Sequence, residues 1–184
     1  MQPTSERTTT TALDALLQEQ TLVGEWILDP RNSSIRLSNK SMWGLIPVNG
    51  EFREVSGRGT VSADGAVSGT IRVSAASIDT GNKRRDTHLR SADFFDSENN
   101  PDIIFIADDI RPSGQGVAIA GVLTVRDRTR PLAFQAAATL PEFGEICLDC
   151  EVHVNQVDFG LTWNLLGTVS RDNTLTIHAV FTRR

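Results

Sequence analysis

The side chains of this 184-residue chain that could do nucleophilic, metal or redox chemistry are few: three histidines and two cysteines. Cys147 and Cys150 form a C-x-x-C, a spacing used by zinc sites and dithiol redox centres. The residues around them oppose that use. Ile146, Leu148, Cys150, Val152 and Val154 alternate with Cys147, Asp149, Glu151 and His153. In a strand, residues three apart point to opposite faces, so the two thiols do not converge. A second cysteine pair to complete a zinc set is missing from the sequence. Cys150 reads as a small core residue and Cys147 as an exposed thiol. His153 and His178 fall on outward strand positions. His88 lies two residues from Asp86, and such a pair is a general-base candidate only where it reaches a pocket. Its commoner role is a hydrogen bond that fastens a helix. No G-x-S-x-G, P-loop or H-E-x-x-H occurs. The chain therefore reads as a non-enzyme, with no catalytic residue and no metal ligand assigned.

The elements that would position these residues are mostly strands. Trp26 and Leu28 share a face, as do Ile35 and Leu37. Ile71, Val73 and Ala75 form another such row, and Val117, Ile119, Gly121, Leu123 and Val125 form the longest. Leu132, Phe134, Ala136 and Ala138 follow. Leu175, Ile177, Ala179 and Phe181 close the chain. A period of two with one apolar face marks half-buried strands. Turn signals such as Asp29-Pro30, Ala63-Asp64-Gly65 and Asn100-Pro101 separate them. Such a pattern fits a sandwich or a closed barrel. A barrel turns every apolar face to one interior and leaves no free edge.

Two segments depart from the strand period. Thr11-Ala12-Leu13-Asp14 resembles a capping box opening a short helix, with Leu13, Leu16 and Leu17 on one face. Residues 1–22 are read as a tail and short helix, and residues 23–184 as one β-barrel domain. The second segment runs from Ser77 to Asp96. Asp86, Leu89, Arg90 and Asp93 have helical spacing, and the residues near 83–95 are read as a helical cap over one barrel end. Lys83, Arg84 and Arg85 are expected to pair with Asp86, Asp93 and Asp96.

Composition sets the class. Hydrophobic residues make up 39% and charged residues 22% of the chain, as in soluble globular proteins. The net charge of −5 argues against nucleic acid, whose partners are normally basic. No apolar run approaches the ~18 residues of a membrane span, so stable membrane insertion is not expected. The polar, threonine-rich residues 1–11 lack a basic-then-apolar leader, and a cytoplasmic location is expected.

Five segments, in order, carry a resemblance to a known family. They are Trp26-Ile27-Leu28-Asp29-Pro30, Ser33 to Ser38, and Ser77 to Pro101 with its S-I-D-T-G-N…R-D-x-H-L-R-S-x-D-F-F-D signature. Gly121 to Arg126 with Thr129-Arg130-Pro131, and Asp158-Phe159-Gly160-Leu161-Thr162-Trp163, complete the set. Together they span about 155 residues and resemble the YceI-like family of lipocalin-like polyisoprenoid- or lipid-binding proteins. The family often has histidines where this chain has Asn32 and Ser41, and a glycine where it has Asp127.

The resemblance implies an all-β fold, a lipocalin-like eight-stranded antiparallel β-barrel with a long lipid-binding cavity. Strands of about nine residues tilted by about 40° give a barrel about 23 Å tall. The implied function is non-catalytic binding or carriage of a polyisoprenoid, isoprenoid quinone or similar long-chain lipid. No cofactor is expected beyond that bound lipid. The competing reading is an enzyme or pathway accessory protein acting on a prenyl- or quinone-like substrate.

The expected inner wall is Trp26, Leu28, Ile35, Leu37, Ile71, Val73, Leu123, Val125, Phe134, Phe159, Leu161, Trp163, Ile177 and Phe181. Phe94 and Phe95 are expected to touch the ligand from the cap. Trp43, in the apolar stretch 42–48, belongs either to a portal or to the core. Small residues at Ala75, Gly121, Ala136, Ala138 and Ala179 leave room inside. Outward apolar residues Val122 and Val180 suggest a homodimer.

Overall fold

The alternating runs form eleven antiparallel strands in the computed structural model, which describes residues 15–17, 19–41, 46–114, 116–141, 144–162 and 170–184. In chain order these are β1 (Gly24–Leu28), β2 (Ser34–Ser41), β3 (Ile46–Phe52), β4 (Val55–Val61), β5 (Val67–Ser74) and β6 (Ile78–Asp79). After the helix α1 (Lys83–Arg90) come β7 (Asp102–Ser113), β8 (Gly116–Val125), β9 (Arg128–Thr139), β10 (Glu145–Asn155) and β11 (Asp172–Arg183). Eight strands close a ring in the order β1-β4-β5-β7-β8-β9-β10-β11, because β11 pairs back with β1. The expected eight-stranded barrel is thus the ring itself, and β2, β3 and β6 branch from β11 beside it.

β11 serves both parts. Its Thr174–His178 stretch pairs with β2, whereas Phe181–Arg183 pairs with β1. Between β1 and β2 the chain breaks at Asp29–Ser33. The Asp29 N–H donates to the Val180 carbonyl (2.8 Å), and the Val180 N–H donates to Ser33 Oγ (3.0 Å). Val180, expected on the outer surface, is therefore buried where this break crosses β11. Asn32 donates through Nδ2 to Asp29 Oδ2 (2.8 Å) and closes the same turn.

Closure requires close approach between strands. An added Cβ at Gly121 would lie 2.0 Å from the Ile106 carbonyl oxygen, so that site accepts glycine alone. Its small size brings β8 against β7 and leaves no room inside, contrary to the expectation. The adjacent register shift between Ala107 and Asp109 is a bulge that bends β7. The two-residue β8–β9 turn places Arg126 in the left-handed region (φ 55°). Arg126 thereby supplies the turn geometry.

The cap segment is held by polar contacts of its own. Asn82 Oδ1 accepts from the Arg85 N–H (3.1 Å) as the N-cap of α1. Asp86, buried, accepts from the Thr80 N–H (3.0 Å) and from Thr80 Oγ1 (2.5 Å). Arg85 donates to Thr80 Oγ1 (2.8 Å) and to the Thr80 carbonyl (2.9 Å). Arg90 reaches the Ile78 carbonyl (2.7 Å). The expected pairing of Lys83, Arg84 and Arg85 with Asp86, Asp93 and Asp96 is absent among the described ion pairs. Asp96 instead accepts from Asn99 and Asn100. Backbone groups that the helix leaves open are the stronger claimants on these side chains.

Candidate ligand-binding site

The inward rows of the ring, with Ile35 and Leu37 of β2 and Phe52 of β3, line a cavity of about 250 Å³. Of the expected wall, Trp26, Ile35, Leu37, Ile71, Val73, Leu123, Val125, Phe134, Phe159, Leu161, Ile177 and Phe181 border it, together with Phe94 and Phe95. Trp43 and Trp163 lie outside the described residues. Leu28 is the exception among the described ones. It is 3% exposed and shares the face of Trp26, yet does not border the cavity. Its side chain fills the place opposite Gly57, whose added Cβ would stand 3.2 Å from Leu28 Cβ.

Room inside comes from particular small residues. Ala136, Ala138 and Ala179 border the cavity as expected, whereas Ala75 is buried in a 3-10 turn away from it. Gly59 and Gly69 face each other across β4 and β5 and also border it. An added Cβ on Gly59 would meet Trp26 Cβ at 3.8 Å, an ordinary contact, so this glycine opens space beside the indole. Trp26 is itself fixed, because its Nε1 donates to the Leu22 carbonyl (3.0 Å). Leu17 and Leu22 border the same cavity.

The cap reaches the cavity through its two phenylalanines. Phe94 and Phe95 meet edge to face at 4.8 Å between centroids, and Phe95 lies 6.0 Å from Phe52. Arg126 Nη1 donates to the Phe94 carbonyl (3.1 Å) and ties the cap to the β8–β9 turn. Opposite, Phe105 and Phe134 pack at 5.5 Å. Phe105 belongs to β7, a strand left out of the expected wall although its alternating Ile103, Phe105 and Ala107 were legible. Gln156 and Asn173, 4% and 7% exposed, also border the cavity. Hydropathy patterning passes over both because they are polar.

The described lining is almost wholly apolar. Among the described lining residues the ionisable side chains are Arg58 and Cys150. Arg58 occupies an exposed position of β4. The Cys150 thiol is pushed up to about 11 by burial, with Asp149 adding to it, and so stays protonated at neutral pH. Cys147 points to the other face, and both cysteines are free. No described histidine borders the cavity. His178 Nδ1 contacts Asp149 Oδ1 (2.6 Å) and His153 Nδ1 contacts Thr174 Oγ1 (3.1 Å), both on the outer face. An apolar interior favours burial of hydrocarbon.

The YceI-like domain family matches residues 26–181. This chain belongs to the YceI-like family. A UPF0312 protein of Serratia proteamaculans is 32% identical over 112 residues, covering 58% of each chain. Protein YceI of Escherichia coli is 30% identical over 89 residues, covering 47% of each. The chain thus spans about half the length of the curated relatives it matches. Among solved structures, Burkholderia cenocepacia BcnA is similar with a TM-score of 0.75 at 20% identity, covering 83% of this chain and 98% of that one. A polyisoprenoid binding domain from Saccharophagus degradans gives 0.71 at 13% identity, covering 86% and 98%. At such identities the likeness establishes the lipocalin-like barrel of the YceI-like fold.

Proposed function

We propose that this YceI-like protein is a non-catalytic container for one long-chain apolar lipid, of the polyisoprenoid or isoprenoid-quinone kind. The observation that carries this reading is the cavity of about 250 Å³ with an almost wholly apolar wall. Its volume exceeds the roughly 150 Å³ of an apolar cavity that stays dry and takes benzene. It falls just below the ~300–1,000 Å³ usual for pockets that hold a bulky ligand. A slender chain suits it better than a fused ring system, and a chain longer than the barrel extends past one end. Each methylene buried contributes about 0.8 kcal/mol before ordering costs.

Native mass spectrometry of protein purified without detergent tests the reading. A bound lipid mass that disappears on solvent extraction, and returns on incubation with a polyprenol or isoprenoid quinone, is the expected result. A protein that stays empty with both, and with fatty acids, refutes it. Cys150 supplies a second readout in a Cys147→Ser background. Its alkylation by an apolar maleimide should slow when the cavity is filled, since the thiol borders that space.

A further inference from the structure

We infer that the cavity carries a polar subsite, built on Gln156 and Asn173, that hydrogen-bonds a neutral oxygen of the bound chain and disfavours an anionic headgroup. This deepens the container reading and rests on it.

Gln156 opens the 3-10 turn that follows β10, and Asn173 stands second in β11. Both amides border the cavity and both are more than nine-tenths buried. Amides in an apolar wall are costly unless their hydrogen bonds are made. Asn173 Oδ1 accepts from Asn39 Nδ2 (2.6 Å), which also donates to the Ser170 carbonyl (3.0 Å). Asn173 Nδ2 has two long contacts, to Gln156 Oε1 (3.4 Å) and to the Arg171 carbonyl (3.3 Å), both beyond the usual range for N–H···O bonds. Asn39 Oδ1 is buried without a partner. The cluster is oriented from behind by Asn39 and retains donor capacity at the cavity border.

The chemistry that meets this capacity is an uncharged oxygen. A carbonyl oxygen accepts from the weakly engaged Asn173 Nδ2 hydrogens, and a hydroxyl does the same while donating its own proton. A diphosphate or carboxylate would need a cation, because a buried charge without a partner is strongly disfavoured. Arg58 is the sole cationic residue among the described lining residues, and it lies on the exposed phase of β4.

Three probes with one hydrocarbon chain test this: farnesol, farnesene and farnesyl diphosphate, each titrated against the wild-type protein and Gln156→Leu. Wild-type protein should bind farnesol about threefold to tenfold more tightly than farnesene, the range of one net hydrogen bond, and farnesyl diphosphate most weakly. Gln156→Leu should erase the preference for farnesol while farnesene binding holds or tightens. Gln156→Met, closer to glutamine in length, reads the same ratio should the leucine variant not fold. An unchanged ratio in the variant, or diphosphate binding as tight as farnesol, overturns the subsite and leaves the container standing. Failure of farnesene and farnesol alike to bind the wild type overturns both.

Discussion

The cap and the barrel wall are built on opposite plans. From Ser77 to Asn100 many polar side chains have a backbone or side-chain partner within the same segment: Thr80 with Asp86 and Arg85, Arg90 with Ile78, Asp96 with Asn99 and Asn100. The wall is a rank of aliphatic and aromatic side chains with little to distinguish one from the next. The stretch that makes the chain recognisable is therefore the one that fastens a lid, and it meets the cavity chiefly through Phe94 and Phe95. Handling of the ligand falls to residues of ordinary type. A signature can report what a fold needs to stay closed while the function resides in shape.

That contrast can be broken from either side. The largest effect is expected on the cap. Asp86→Ala leaves the half-buried Thr80 N–H and hydroxyl without their acceptor, which should cost about 3 kcal/mol and lower the melting midpoint by about 6–12 °C. Lipid uptake measured well below that midpoint should stay within about twofold of wild type. Complete loss of uptake in folded protein would place the cap polar residues in the binding step.

The wall should respond in the reverse sense. Ala179 is 2% exposed and borders the cavity, so Ala179→Phe fills the space a ligand needs. Uptake should fall more than about 30-fold while the midpoint shifts by an overpacking cost of about 1–3 kcal/mol at most. Retained uptake, read by native mass spectrometry, would show that the ligand lies elsewhere.

The two kinds of glycine sharpen the point on a smaller scale. Gly121→Ala meets backbone at 2.0 Å and should destabilise by about 2–4 kcal/mol. Gly59→Ala meets ordinary contacts, should change stability by less than about 1 kcal/mol, and should weaken ligand binding by narrowing the space beside Trp26. Chemical denaturation of both variants decides it.

The smallest effect concerns acid. Asp79 is held below the usual carboxylate value, first by the backbone N–H of Gly81 and next by Arg53. A carboxylate depressed in the folded state stabilises it above the unfolded value of about 3.9, and that contribution is lost as pH falls through the lower folded value. The midpoint of Asp79→Asn should therefore fall less steeply below pH 4 than that of wild type. Equal slopes would show that the exposed Arg53–Asp79 contact contributes nothing, as for many surface pairs.

Much of this was legible in one dimension. The period of two in β8 and β11 names which side chains face inward, since a pleat admits no other reading. The same parity separates Cys147 from Cys150. The break at Ser77 to Asp96 shows in its helical spacing and paired phenylalanines. Legibility failed where position depends on a neighbouring strand. Leu28 has the right parity and the wrong surroundings. Val180 has outward parity but is covered by the break between β1 and β2. Gly121 and Gly59 are alike as letters and opposite in role, because one lies against backbone and the other beside an indole.

The sequence by itself determined the strand faces, the helical cap and the apolar character of the interior, because these follow from local geometry and composition. Tertiary structure alone decided that eight strands close through β1 and β11, that β2 and β3 continue from β11 and add Ile35, Leu37 and Phe52 to the cavity wall, and that Gln156 and Asn173 meet at the cavity border. Closure is a contact between residues some 155 positions apart, and the meeting of two amides depends on register across a ladder. Neither is encoded in the periodicity of any one segment.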